Sequence, residues 1–249
     1  MRMMRKITLL GTGLSLTIAL AAAAQANTVT FVTPTGSTAK GEAVDAQAVL
    51  TTGTDSLSIA LSNLLSASQM HDAGQLLSDL SFTVTGLTSP GSVTSSTGTF
   101  INVAGDGSVT SATSGGTAPD LVAWGLSSAS SPTSSTYQLD GLAGKPSLTP
   151  ANLIIGGTAG DTSYPMANGS IAGNKPHNPF VQGTADWVLS IPGLTSTTNI
   201  SSVVFSFSTQ SGVNVTGVPK TNGVPEPATF GLFALGLAGL GFARRKRKN

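Results

Sequence analysis

The chain has 249 residues, with 12 Lys and Arg against 11 Asp and Glu, two His and no Cys. Without cysteine there is neither a disulfide framework nor a thiolate metal site, so a fold must be held by its core. The near-neutral total conceals a segregation: Arg2, Arg5 and Lys6 stand at one end and five basic residues at the other, while between Asn27 and Gly223 four lysines (Lys40, Lys145, Lys175, Lys220) face ten acids. That body, near −6, lacks the basic stripe that phosphate neutralisation needs, which excludes nucleic acid as a partner.

In chain order, residues 1–26 read as a secretory signal peptide helix. A basic n-region is followed by the apolar, small-residue stretch Ile7 to Ala24, and Ala24-Gln25-Ala26 forms an A-x-A site for signal peptidase, leaving Asn27 as the mature N-terminus. An uncleaved N-terminal anchor is the alternative. The body, residues 27–208, is long enough for one domain with its own core. Period-two alternation places Val44, Ala46, Ala48 and Leu50 on one strand face, Leu57, Ile59, Leu61 and Leu65 on the next, and Leu80, Phe82 and Val84 on a third, with Ser81, Thr83 and Thr85 turned the other way. Between them, Ala73, Leu76 and Leu77 at helical spacing predict one short helix within Met70 to Ser78.

Further strands are expected at Thr99–Ala104, Leu121–Leu126, Thr136–Leu139, Asn152–Ile155, Asp186–Ile191 and Ile200–Thr209. Breaks are expected at the Gly, Pro, Ser and Asn clusters of Thr113–Pro119, Ser127–Ser135 and Gly156–Pro179. Many short strands with one short helix predict an all-β, β-sandwich or jelly-roll-like ectodomain rather than a βαβ fold. Trp187, Val203, Phe205 and Phe207 are its expected large core residues. Residues 209–223, polar and Gly-containing, are read as a stalk.

Residues 224–249 are of a different kind. Val224-Pro225-Glu226-Pro227 precedes a run of sixteen uncharged residues, 228–243, and then Arg244, Arg245, Lys246, Arg247 and Lys248. As a helix the run spans about 24 Å, close to a ~30 Å hydrocarbon core. Pro227 suits the first helical turn, Glu226 the positive end of the helix dipole, and the basic run a stop that stays on the cytoplasmic side. A transmembrane helix is therefore expected, with a simple tail anchor as the competing reading.

The order of motif, apolar span and basic stop in Val224 to Lys248 resembles the PEP-CTERM sorting signal of bacterial envelope proteins. The resemblance covers a tenth of the chain. It implies an exported precursor held transiently in the inner membrane of a Gram-negative bacterium, cut near Pro225-Glu226-Pro227 by an exosortase, and delivered to the cell surface or extracellular matrix, with exopolysaccharide as an associated partner. The runs Gln75–Val84 and Val203–Ser208 are loosely similar to ectodomains carried on such tails. That kind of tail also occurs on some ice-binding proteins.

Catalytic and cofactor motifs do not stand out. His71 and His177 are isolated from other ligand types, Glu42 is the one glutamate of the body among nine scattered aspartates, and no G-x-S-x-G or phosphate-cradling Gly loop occurs. Gly105-Asp106-Gly107 and Gly160-Asp161-Thr162 read as turns rather than as parts of a calcium site. The sequons at Asn168, Asn199 and Asn214 carry no assigned role. No enzymatic activity and no cofactor are expected. A structural or interaction protein is the leading reading, and a carbohydrate- or ice-binding module is the alternative. The alternative would need exposed aromatics, for which Trp124, Trp187, Tyr137 and Tyr164 are the candidates, or a ranked Thr face, of which Thr28, Thr30, Thr33 and Thr35, or Thr83 and Thr85, fall short.

Overall fold

A computed structural model describes residues 26–112, 124–142, 152–210 and 212–220. They form an all-β body. The first half carries β1 (Asn27–Val32), the two-residue hairpin β2 (Thr38–Ala39) and β3 (Glu42–Ala43), β4 (Ala46–Thr52), β5 (Ser56–Asn63), β6 (Leu77–Thr85), β7 (Ser92–Val103) and β8 (Val109–Ser111). The second carries β9 (Gly125–Ser131), β10 (Ser134–Asp140), β11 (Ile154–Ile155), β12 (Phe180–Ser190), β13 (Ile200–Phe207), β14 (Asn214–Thr216) and β15 (Val218–Pro219).

Two layers result. In one, β6 is flanked by β13 and β10, and these continue to β14 and β9. In the other, β12 lies between β7 and β5, with β8 beyond β7 and with β4, β1 and β15 beyond β5. β11 joins the layers by pairing parallel to β12 and antiparallel to β6, which makes one 13-stranded sheet folded in a sandwich-like way.

The alternation in the sequence explains the packing. Ala46, Ala48 and Leu50 on β4, Leu57, Ile59 and Leu61 on β5, and Leu80, Phe82 and Val84 on β6 all point inward, and each is almost fully buried. They meet Tyr137, Trp187, Val203, Phe205 and Phe207 in one cluster. Phe82 stacks on Tyr137 at 5.5 Å between ring centroids, and Trp124 lies 4.9 Å from Trp187. A second cluster caps the end of the sandwich, where Leu65, Met70, Leu76, Ile155, Tyr164 and Phe180 pack beneath the 156–179 loops.

The structure departs from the sequence reading in several places; Leu65 lies beyond β5 in the end cluster, and the strand expected at Asn152–Ile155 is Ile154–Ile155 alone. The Met70–Ser78 segment makes a single 3-10 turn, Ala73–Gln75, and Leu77 already belongs to β6. Asp72 caps that turn by accepting the Gly74 N–H at 2.6 Å, Gln75 reaches back to the Asp72 N–H, and Leu76 is extended, so a second turn never forms. Ser127–Ser135 is a hairpin around Pro132-Thr133 rather than a break, with β9 and β10 paired over seven residues. β7 begins seven residues before Thr99, because Ser, Thr and Gly at its start pair through the backbone without an apolar signature; β12 begins six before Asp186, because its first four residues, Phe180 to Gly183, are buried together and do not alternate. Residues 214–219, expected in a stalk, are strands β14 and β15, with Val213 and Val215 packed against the core. Of the expected strand Leu121–Leu126, residues 121–123 lie outside the described residues, and β9 begins at Gly125.

Candidate functional site

The first and last strands of the body are neighbours. β1 pairs with β4 along its whole length, and its other side takes β15, with Phe31 opposite Pro219 and Val32 opposite Val218. The Lys220 N–H donates to Thr30 O at 2.8 Å and its Nζ to Gln47 Oε1 at 3.4 Å. Antiparallel pairing aims the chain at Lys220 toward the Asn27 end of β1. Gly217 makes the crossing from β14 to β15 possible: its N–H donates to Val203 O at 2.8 Å, and a Cβ there would lie 2.9 Å from Phe205 Cε2. Three residues separate Lys220 from Val224, a reach of at most about 14 Å over four Cα–Cα steps. The body thus ends directly at the start of the basic-stopped tail.

Of the predicted processing residues, Ala26 is described, exposed and adjacent to β1. Ala24, the motif Val224, Pro225, Glu226 and Pro227, and the stop Arg244, Arg245, Lys246, Arg247 and Lys248 lie outside the described residues, as do residues 228–243. Among the described residues no helix is long and apolar enough to cross a membrane.

The fold brings carboxylates together that the sequence leaves scattered. Asp79 on β6 is directly opposite Asp140 on β10. Asp79 is 7% exposed, its Oδ2 accepts from Gln138 Nε2 at 2.5 Å, and its Oδ1 has no partner. Burial pushes its carboxyl up to about 7, with Gln138 opposing and the Asp140 charge adding to the rise. The register also sets Leu80 opposite Leu139, so the Asp-Leu step of β6 faces the Leu-Asp step of β10. At the surface, His71 Nδ1 lies 3.2 Å from Glu42 Oε1, and with Asp72 these residues offer three ligand atoms within 4.8 Å of one another. One Asp72 oxygen is already engaged as the helix cap. That set supplies less than half of a calcium shell.

The remaining candidates resolve into structural roles. Asp106 accepts the Ser108 N–H and hydroxyl, and these bonds hold its carboxyl below the usual range; Asp161 accepts the Thr158 N–H at 2.7 Å. His177 Nδ1 sits 2.8 Å from Ser170 O. Trp124, Trp187, Tyr137 and Tyr164 are all 5% exposed or less. Three of them bond inward, Trp124 Nε1 to Asn152 O, Tyr137 OH to Ser89 O and Tyr164 OH to Gly156 O. Burial pushes the Tyr164 phenol up to about 12. None of the four offers a face for a sugar to stack on.

The threonines are likewise dispersed. Thr28 faces out and shares a 3.0 Å contact with Thr51, Thr83 does the same with Thr136 at 3.1 Å, and Thr33 is buried against Ala46 N. On the outer face of the larger layer these hydroxyls alternate with Val49, Ala60, Asp186 and Val188, so no continuous threonine rank forms. A cleft of about 500 Å³ between β7, β8 and β12 is lined by Thr97, Thr99, Phe100, Thr184 and Asp186.

Neither the curated proteins nor the solved structures contain a match to this chain. A family model does match its end, beginning at Gly223, three residues beyond the last described strand contact at Lys220. The chain carries the PEP-CTERM protein-sorting motif over residues 223–248.

Proposed function

We propose that this is an exported envelope protein whose β body is delivered to the cell surface or matrix by exosortase processing at Val224–Pro227, after signal peptidase has cut behind Ala26. The observation that carries this reading is the sorting motif placed directly after β15. In this reading residues 228–243 hold the precursor in the inner membrane as a helix, and Arg244–Lys248 stop its transfer. The body acts by structure and interaction, not by catalysis. The one directly opposed carboxylate pair among the described residues supports that view, because Asp79 is too deeply buried for a substrate to reach. Burial of all four Trp and Tyr candidates weighs against a sugar-stacking module, and the interrupted threonine rows weigh against an ice-binding face. Association with exopolysaccharide would then run through hydroxyl-bearing strand faces.

The test is the intact mass and cellular location of the native protein beside a variant with Pro225, Glu226 and Pro227 all changed to Ala. The wild type is expected to lose its tail and reach the surface or medium, with the variant retained full-length in the membrane. Full-length wild type in the membrane would reduce the tail to an anchor.

A further inference from the structure

Strands at the end of a sheet expose unpaired N–H and C=O groups, and proteins keep such edges from pairing by making them short or by placing proline or charge on them. Among the described residues this sheet ends in β8, β14, β15 and β9. β8 and β14 have three residues each, and β15 has two, one of them Pro219, followed by Lys220. β9 has none of these protections. It is seven residues long, Gly-Leu-Ser-Ser-Ala-Ser-Ser, without charge or proline, and among the described strands it pairs only with β10.

The strand is also held ready. Leu126 packs against the core, Ser130 Oγ donates to Thr88 O at 3.1 Å and lies 3.0 Å from Ser135 Oγ, and Ser131 Oγ lies 2.9 Å from Ser134 Oγ. Its backbone is thus fixed on one side, while every second residue presents N–H and C=O outward. An ordered edge pays little further entropy when a strand is added.

We infer that β9 is a self-association edge, on which a second copy of this chain adds its own β9 antiparallel and continues the β14–β13–β6–β10–β9 layer across a two-fold axis at Ser128. Two observations select a second copy, and the geometry they give is closed. Pairing about Ser128 sets Ser127 against Ala129 of the second copy, Leu126 against Ser130 and Gly125 against Ser131, all without a bulky or charged clash. The acidic row Asp79–Asp140–Gly125 of one copy then runs into the hydroxyl row Ser131–Ser134–Thr85 of the other, so two bodies each near −6 meet without acids facing acids. The isologous geometry closes at two copies and uses up the long edge. This inference does not depend on the sorting tail.

The test is sedimentation of the full-length chain in mild detergent over a range of concentrations. Wild type is expected to reach a dimer. Ser127→Lys with Ala129→Lys sets lysines directly opposite lysines on the exposed face and is expected to weaken the dimer by about a hundredfold. Ser127→Glu with Ala129→Glu does the same alone, and mixing the two variants restores a mixed dimer. Both substitutions are at exposed positions facing away from the core, and unchanged circular dichroism confirms that the fold is kept. A wild type that stays monomeric, as it would if another segment of its own chain covered β9, overturns the inference. So does a dimer indifferent to the lysines, which the tail or another surface would then be holding, or a failure of the mixture to pair.

Discussion

The core between the layers and the cluster at the end of the sandwich are built by different means. Between the layers, regular strands deliver Leu50, Ile59, Phe82, Trp187 and Phe205 at period two, and apolar side chains fill the space. At the end, loops do the work, and polar groups set the shape: Asn63 Nδ2 donates to Gln75 O and Ile154 O, Tyr164 OH donates to Gly156 O, and Gln182 Nε2 lies 3.3 Å from that hydroxyl. Gly157 and Gly183, both with positive φ, let two backbones approach where β12 shifts register between Val181 and Ala185. The first region resists change by volume and the second by close backbone contact. Substitutions should separate the two.

The largest effect is expected in the interlayer core. Phe205→Ala removes a fully buried ring from β13 and should cost about 3–5 kcal/mol in urea unfolding. A loss near 1 kcal/mol would mean that the layers are not tightly packed.

Asp79 is the exception within the regular layer, a charge-bearing group buried by strands. Its folded pKa, about 7, is raised above the unfolded value, so the native state holds the proton more tightly. Stability from this group is complete below about pH 4 and is lost as pH rises through about 7. Asp79→Asn should flatten that slope and stabilise the protein at pH 8 by roughly 2–4 kcal/mol. The check is the melting temperature of both proteins from pH 4 to 8; parallel curves would show that Asp79 is already accommodated as the anion.

In the end cluster, Gly183→Ala places a Cβ 2.5 Å from Gly157 O at φ +70 and should cost about 1–3 kcal/mol. Hydrogen exchange should report that loss first in the 156–179 loops and β11, with the interlayer strands still protected. Uniform loss of protection would erase the distinction between the two regions.

The same division governs what the sequence discloses. Ala46–Leu50, Leu57–Leu61 and Leu80–Val84 are readable because a strand with one wet face has to alternate, and the expected large residues of β12 and β13 are in the core for that reason. β1 is readable in principle, since Val29 and Phe31 alternate with Thr28 and Thr30, but β9 and the first half of β7 are not. Thr, Ser and Gly pair through the backbone and give no hydropathy contrast, so Ser127–Ser131 passes for a loop, while Asn214–Pro219 passes for a stalk because its strands of three and two residues are too short to show a period. The Met70–Ser78 helix fails through competition: Asp72 and Gln75 satisfy the local backbone in one turn, and the β6 ladder takes Leu77. The opposed Asp79 and Asp140 depend on register, which one strand alone does not specify. The tail is legible for the opposite reason, since its function is addressed in linear order and needs no fold.

The pairing of β1 with β15 sets a schedule. A chain that emerges N-terminus first exposes β1 at the outset, and β4 soon follows to cover one side. The other side waits for Val218 to Lys220, which end two residues short of the sorting motif. The last strand can pair only after everything ahead of it in the chain has been made available, so completion of the β1 edge coincides with the moment when little but the tail remains to follow. Closure of the fold is thereby tied to the stretch of chain that leads into the sorting motif.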